Sequence, residues 1–281
     1  MTLHPILAAL RKHKAGVVLI ALQIALTLAI VCNAVFIIGQ RIERVHRPTG
    51  LDENDLFLVS QQWVGAPTGD DPASIDKLDT LLKEDLATLR NLPDVVSVST
   101  TNSVPLLNSS WTGSLATQPG DGLIKGTLHT AYYFGDENLI PTLGLKLIAG
   151  RAFNAGDVRN QAFRDQRHAD LVIVTKAIAD KLFPDGHAIG KPIYMDGDSK
   201  PATIIGEVER MQVPATGSWA NNFTWYSTLV PLRLNGNFSR YVVRTKPGRL
   251  AAVMREVPPA LYKTDPMRVL DDDSVQSFGE I

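Results

Sequence analysis

From Ala15 to Gly39 the chain runs 25 residues without a charge, and no second run of that kind follows. A hydrocarbon core about 30 Å thick takes about 20 helical residues to cross, so 15–39 reads as a membrane helix. Cys32-Asn33-Ala34 would pass as a small-x-small cleavage site. The run is nevertheless longer than the apolar stretch of about 7 to 15 residues typical of a cleaved signal, which favours a retained helix. Before it, Leu3, Ile6, Leu7 and Leu10 keep helical spacing and lead into Arg11, Lys12, His13 and Lys14. Segment 1–14 therefore reads as amphipathic and surface-lying, with a frayed terminus as the alternative.

Beyond the run the pattern changes to shorter elements. Residues 40–54 form a linker broken by Pro48 and Gly50. Asp55 to Gln62 reads as a strand. Asp71 offers an N-cap with Pro72 at the first helical position, and Ile75, Leu78, Leu82, Leu86 and Leu89 recur at helical spacing until Pro93. Val95 to Ser99 is a second strand. Near the end a similar unit recurs. Leu229 to Leu234 and Tyr241 to Thr245 flank Asn235-Gly236-Asn237; Leu250, Val253, Val257 and Leu261 mark a helix; Arg268 to Leu270 is the last strand. Pro258-Pro259 should kink or restart that helix. Two β-α-β units with both helices on one face of a shared sheet give an α+β, ferredoxin-like arrangement, 55–105 with 227–273, holding an inserted lobe, 106–226.

The inserted stretch has strand-like runs Leu171 to Val174, Pro192 to Met195 and Ala202 to Val208, a helix-like stretch Lys176 to Phe183, and a hairpin signal at Asp196-Gly197-Asp198. It should be mainly β with one short helix. Two long segments, Val95 to Gly120 and Met211 to Leu232, carry no charge but do carry Trp111, Trp219 and Trp225. Their Pro, Asn, Ser and Thr content excludes a membrane span. They are either a binding surface or buried loops between lobes.

Charge and chemistry narrow the function. A net charge of −1 and no basic block argue against nucleic acid as a partner. Cys32 is the only cysteine, so no disulfide forms within the chain. Gly186-His187-Ala188-Ile189-Gly190-Lys191-Pro192 has three residues between its glycines and proline in place of Ser or Thr, so it is not a phosphate loop. The six histidines include no helical His-x-x-x-His pair. Asp271-Asp272-Asp273 lacks the alternating pattern of a calcium loop and reads as a solvated turn. There is no Gly-x-Ser-x-Gly elbow. No catalytic, cofactor or metal residue is expected, and an anchored hydrolase is disfavoured for want of a nucleophile and base.

Within the membrane run, Ala21, Ala25, Ala29 and Asn33 recur every four residues, a stripe that lets another helix approach closely. Gln23, Thr27 and Asn33 are polar groups in hydrocarbon, where unsatisfied groups are costly, and they call for partners. The alternative is a tolerant lone anchor rich in alanine. Lys and Arg before and after the run nearly balance: Arg11, Lys12 and Lys14 against Arg41, Arg44 and Arg47, with Glu43 tilting only slightly toward a cytoplasmic N-terminus.

The order of segments resembles the permease subunits of MacB/FtsX-type ABC transporters, with their MacB-like periplasmic core domain. The residues that carry it are Leu10 to Lys14 entering the apolar run, Leu92-Pro93-Asp94-Val95 followed by Asn102-Ser103-Val104-Pro105-Leu106, and Leu143-Gly144-Leu145 through Ala149-Gly150-Arg151-Ala152-Phe153. Ala179 to Phe183, Ile189-Gly190-Lys191 and Ile204-Ile205-Gly206-Glu207-Val208 continue it. The resemblance implies a cytoplasmic N-terminus and a periplasmic bulk in the cell inner membrane, with a porter-like lobe from the two ends of the outer segment and a β-rich lobe between them. It implies that ATP is hydrolysed by a separate ABC ATPase subunit, that the chain is not itself an enzyme, and that membrane lipid and a periplasmic adaptor are partners. It further implies a candidate ATPase-contact segment at Leu7, Leu10, Arg11, Lys12 and Lys14, and further permease helices or a second permease subunit against the stripe. Relatives continue past residues 274–281 into three more membrane helices, so the chain alone is expected to insert and fold but not to transport. The competing reading is a single-pass anchored periplasmic sensor, binding or scaffold module. The substrate is not identified by any residue.

Overall fold

A computed structural model describes residues 14–120, 127–163 and 168–281. The chain divides at Pro48 and Thr49 into two compact units. In the first, a single helix α1 (Lys14–Val45) covers the whole apolar run. It is long and apolar enough to cross a membrane, and large apolar side chains from Val18 to Ile42 stand exposed along it. The amphipathic segment, with Leu7, Leu10, Arg11 and Lys12, lies outside the described residues; Lys14 opens α1.

The second unit contains, in chain order, β1 (Leu56–Trp63), α2 (Pro72–Arg90), β2 (Val95–Thr100), β3 (Thr112–Ala116), β4 (Leu128–Phe134), α3 (Leu139–Leu143), β5 (Leu147–Gly150), β6 (Arg159–Ala162), β7 (Leu171–Thr175), α4 (Lys176–Leu182), β8 (Pro192–Met195) and β9 (Ala202–Val208). There follow β10 (Ser227–Val230), β11 (Leu232–Asn235), β12 (Phe238–Thr245), α5 (Leu250–Thr264), β13 (Arg268–Val269) and β14 (Val275–Ser277).

One sheet has the order β13-β1-β12-β2, antiparallel throughout, with β14 also pairing β1. Taking the two β-α-β units in turn, that order is fourth, first, third, second, the ferredoxin-like sequence of strands. α2 starts as its sequence dictates: Asp71 accepts from the Ser74 amide at 3.1 Å and Pro72 follows. Leu82, Leu86 and Leu89 of α2 and Val253, Val257 and Leu261 of α5 pack on Phe57, Val59, Tyr241 and Val243. Each such burial is worth about 1.5–3 kcal/mol. The alternate residues Leu56, Leu58 and Val242 face the other way, into a cluster with Tyr133, Leu139 and Leu229.

Three local expectations change. Among its described residues the inserted stretch holds two short α-helices instead of one, since α3, with Leu139, Ile140 and Leu143 buried, joins α4. α5 runs unbroken through Pro258 and Pro259, because the buried stripe Val253, Val257, Leu261 holds both halves on one sheet face. The stretch Leu229 to Leu234 is two strands divided at Pro231, with β10 in a seven-stranded sheet and β11 paired to β6.

The seven-stranded sheet has the order β5-β9-β7-β10-β4-β3-β8, and β8 also pairs β9, so six of its strands close a ring. Closure leaves those six strands without an open edge, and β5 attaches beside them through β9. Leu115, Tyr132, Phe134, Val174, Ile193 and Ile204 pack together with Ile178 of α4. At Asp196-Gly197 both residues take positive φ, 51° and 77°, and the Asp198 amide donates to the Met195 carbonyl at 2.9 Å, the primed turn the sequence signalled.

Candidate functional site

The segment that opens the outer unit and residues 275–281 are both tied firmly to the rest of its fold. The Gln212 amide donates to the Thr49 carbonyl at 2.8 Å, and the Asp52 amide to the Leu143 carbonyl at 3.1 Å. Gly50 takes φ +90° with its α-carbon against the Arg210 carbonyl, so a β-carbon there would collide with backbone. Arg244 donates to the Asp52 and Asn54 carbonyls at 2.7 and 3.0 Å, and to the Thr142 carbonyl at 2.8 Å. Asp55 takes donors from the Thr245 amide at its carbonyl and the Gly248 amide at its carboxylate. β14 runs back alongside β1 with Ser277 opposite Phe57, and a reciprocal Ser277–Glu280 capping box turns the chain so that Phe278 is buried. Leu51, Leu56, Phe278 and Ile281 therefore share one apolar cluster. Residues 49–56 and 275–281 form a single fastened root.

Elsewhere in the unit, polar side chains tie helices and strands to one another. Asn102 acts as a strand surrogate, donating to the Tyr132 carbonyl at 3.0 Å and accepting from the Phe134 amide at 2.8 Å, while Arg240 holds the Asn102 carbonyl at 2.7 Å. Burial lowers the Arg240 pKa. Asp136 accepts from Ser99 at 2.7 Å and from Arg90 at 3.2 Å; burial pushes its pKa up, with Ser99 opposing. Asp79 on α2 pairs with Arg233 on β11 at 2.9 Å and with Lys83. Burial raises its pKa, but the two cations outweigh it and the net direction is down. Deepest is Asp85 on α2, which accepts two bonds from Arg268 of β13, at 2.8 and 2.9 Å, plus Tyr241 at 3.0 Å and Gln61 at 3.2 Å. Burial again pushes this carboxyl up, against Arg268 and Tyr241.

The motif glycines have a structural job. Gly150, at φ +71°, sits opposite Gly206 in the β5–β9 register, and its missing β-carbon leaves room for the Ile205 carbonyl. Gly206 gives the same clearance to the Arg151 carbonyl. Phe153 is buried in the root cluster, and Arg151 grips Asp157 at 2.6 and 3.2 Å.

On α1 the positions Ala21, Gln23, Ala25, Thr27, Ala29 and Asn33 are all exposed. The Thr27 hydroxyl donates to the Gln23 carbonyl at 2.8 Å, so one of the three polar groups is satisfied inside its own helix. Chemistry is sparse. Among the described residues no group of three or more His, Cys, Asp or Glu is placed to hold a metal. His168 lies 3.0 Å from Asp198 and 3.4 Å from Asp170, a cluster that holds no nucleophilic side chain.

The root was not flagged by the sequence, because its contacts are backbone carbonyls and a distant arginine. A signal did exist for Asp85, an acid three residues after Leu82 and four before Leu89 on the buried stripe.

A model of the family described as MacB-like periplasmic core domain matches residues 18–260. No curated protein matches the chain. Among solved structures, the extracellular domain of the noncanonic ABC-type transporter YknZ from Gram-positive bacteria is 14% identical, with 78% of this chain and 98% of that one covered and a TM-score of 0.46. The periplasmic region of MacB from Actinobacillus actinomycetemcomitans is also 14% identical, with 84% and 94% covered and a TM-score of 0.46.

Proposed function

We propose, from the premise that this chain belongs to the MacB-like periplasmic core domain family, that it is a permease-type component of an ABC transporter. Its outer unit is a domain of the kind found in such permeases, not a catalyst, and the layout of one apolar helix before it fits a single-pass inner-membrane protein. In the fuller reading the N-terminus is cytoplasmic, and Lys14 with the residues before it meets a separate ABC ATPase. The outer unit is periplasmic, with a porter-like lobe, 55–105 and 227–273, around a β-rich lobe, 106–226, to whose sheet the first strand of the second range, β10, belongs. Ala21, Gln23, Ala25, Thr27, Ala29 and Asn33 pack on further permease helices. ATP hydrolysis by the partner then drives export, or mechanical work on a periplasmic adaptor.

The observation that supports this is the fastened root. Residues 49–56 and 275–281 are held together beside β1, so a displacement delivered through the chain at Pro48 moves a whole sheet instead of stretching a loose linker. Packed interfaces transmit shifts because they are not continuously deformable. Cross-linking from single cysteines at 21, 25, 29 and 33, with Cys32 replaced by serine, tests the reading in native membranes. Adducts to other membrane helices, strongest along that stripe, are expected. Uniform or absent adducts would instead favour a lone-anchored binding module.

A further inference from the structure

The two charge-free segments of the sequence form one surface beside the root. The Asn108 amide donates to the Pro214 carbonyl at 3.0 Å, and the Thr216 amide to the Asn108 side chain at 3.3 Å. Val104, Leu106 and Leu107 from one segment and Val213, Ala220 and Phe223 from the other lie in the same apolar cluster as Leu51 and Phe278. The surface is tied to the first residue of the outer unit through the Gln212–Thr49 bond. Its outer side shows Asn108, Thr216, Ser218, Asn221 and Asn222, all neutral, around Trp219, which is 58% exposed. Trp219 leans on buried Phe223 at 5.4 Å between ring centroids, and nearby Arg210, exposed, stacks over Trp225 at 5.2 Å.

An exposed tryptophan in a neutral, amide- and hydroxyl-rich surface is poorly matched to bulk water and well matched to the membrane–water interface, where Trp rings sit at headgroup level and arginine reaches phosphate. Chain length places the bilayer within reach. Gly39 ends the apolar run ten residues before Thr49. With helix as far as Val45, Thr49 lies no more than about 25 Å from the hydrocarbon. Glu209 is engaged by Lys146 at 3.3 Å, and the acids Asp52 and Glu53 in the root argue for neutral over anionic lipid.

We propose that the Trp219 loop, residues 216–225, rests on the outer leaflet and inserts the Trp219 ring among zwitterionic lipid headgroups. The contact steadies the base of the outer domain against the membrane. It rests on the membrane-anchor reading and needs no ATPase.

All four tryptophans lie outside the membrane run, so bilayer quenching of their emission reports the outer domain. The full chain is reconstituted in phosphatidylcholine vesicles, with insertion checked by alkaline extraction, and phosphatidylcholine is exchanged for its 6,7-dibrominated form. Wild-type emission should fall by up to about a quarter, the share of one tryptophan in four, and Trp219→Phe should lose that fall while keeping the wild-type circular dichroism spectrum. Inserted protein whose emission is unchanged by brominated lipid overturns the proposal. Equal quenching in wild type and Trp219→Phe overturns it as well. Protection of Trp219 from aqueous iodide only in native membranes, and not in pure lipid vesicles, would assign the surface to a protein partner and equally overturn it.

Discussion

Replacing Arg268 by methionine removes one half of an ion pair whose side chains are 0% and 1% exposed. The pair is bidentate, with oxygens at 2.8 and 2.9 Å, and Asp85 would keep only Tyr241 and Gln61 as donors. At an effective dielectric near 20 two charges about 4 Å apart interact by about 4 kcal/mol. Breaking a buried pair from one side costs about 3–5 kcal/mol. For a unit of this size each kcal/mol moves the midpoint about 2–4 °C, so Arg268→Met should lower Tm by roughly 10 °C in thermal unfolding followed by circular dichroism. The cost is pH-dependent. Without Arg268, burial raises the Asp85 pKa unopposed by a cation, and a group whose folded pKa is raised favours the fold below its unfolded value and loses that advantage as pH rises through the folded one. The deficit of Arg268→Met should therefore be largest at neutral pH and shrink toward about pH 4. Pairing it with Asp85→Leu should restore stability to within about 1–2 kcal/mol of wild type, the remainder being the orphaned Gln61 and Tyr241 donors. A single-variant cost under about 1 kcal/mol, or a double variant as unstable as the sum of the two singles, would refute the reasoning.

Other outcomes follow from the same geometry. Gly150→Ala and Gly248→Ala both place a side chain at positive φ, but only Gly150 faces backbone. Urea unfolding should show about 1 kcal/mol for Gly248→Ala and at least twice that for Gly150→Ala. Asp79 has a lowered pKa, so its contribution is present above the unfolded value of 3.8 and is lost as pH falls through the folded value. Asp79→Asn should flatten the wild-type loss of stability between about pH 5 and pH 3. Arg244→Ala frees the Asp52 and Asn54 carbonyls and should cost about 1–3 kcal/mol. Hydrogen exchange should then quicken at the Asp52 amide while the amides of β7 are unchanged.

The elements that could be read from the sequence are those whose burial is one-sided. α2 shows its face as Leu78, Leu82, Leu86, Leu89 and its start as Asp71-Pro72, and the structure places both there. β4 is the opposite case. Six of its seven residues are buried, so Leu128 to Phe134 has no alternation to detect and was not anticipated. The break at Pro231 was missed because apolar residues run through it, although proline in a strand interior is itself the warning. The mid-helix prolines of α5 err in the other direction, since local propensity lost to a buried stripe. The root stayed hidden for a different reason: Gly50 under the Arg210 carbonyl and Arg244 over Asp52 join residues about 160 to 190 apart, which no local pattern encodes. The glycines of Ala149-Gly150-Arg151 and Ile205-Gly206 could be read as family markers, while their reason, one strand crossing close to another, needed three dimensions.

The permease assignment is tested most directly by isolating the tagged full chain from its native membranes in mild detergent and identifying what accompanies it by mass spectrometry. An ABC-type ATPase should be enriched with the wild-type chain and depleted when Ala25 and Ala29 are both changed to tryptophan. A well-folded, membrane-inserted chain that brings down no such ATPase would contradict the account.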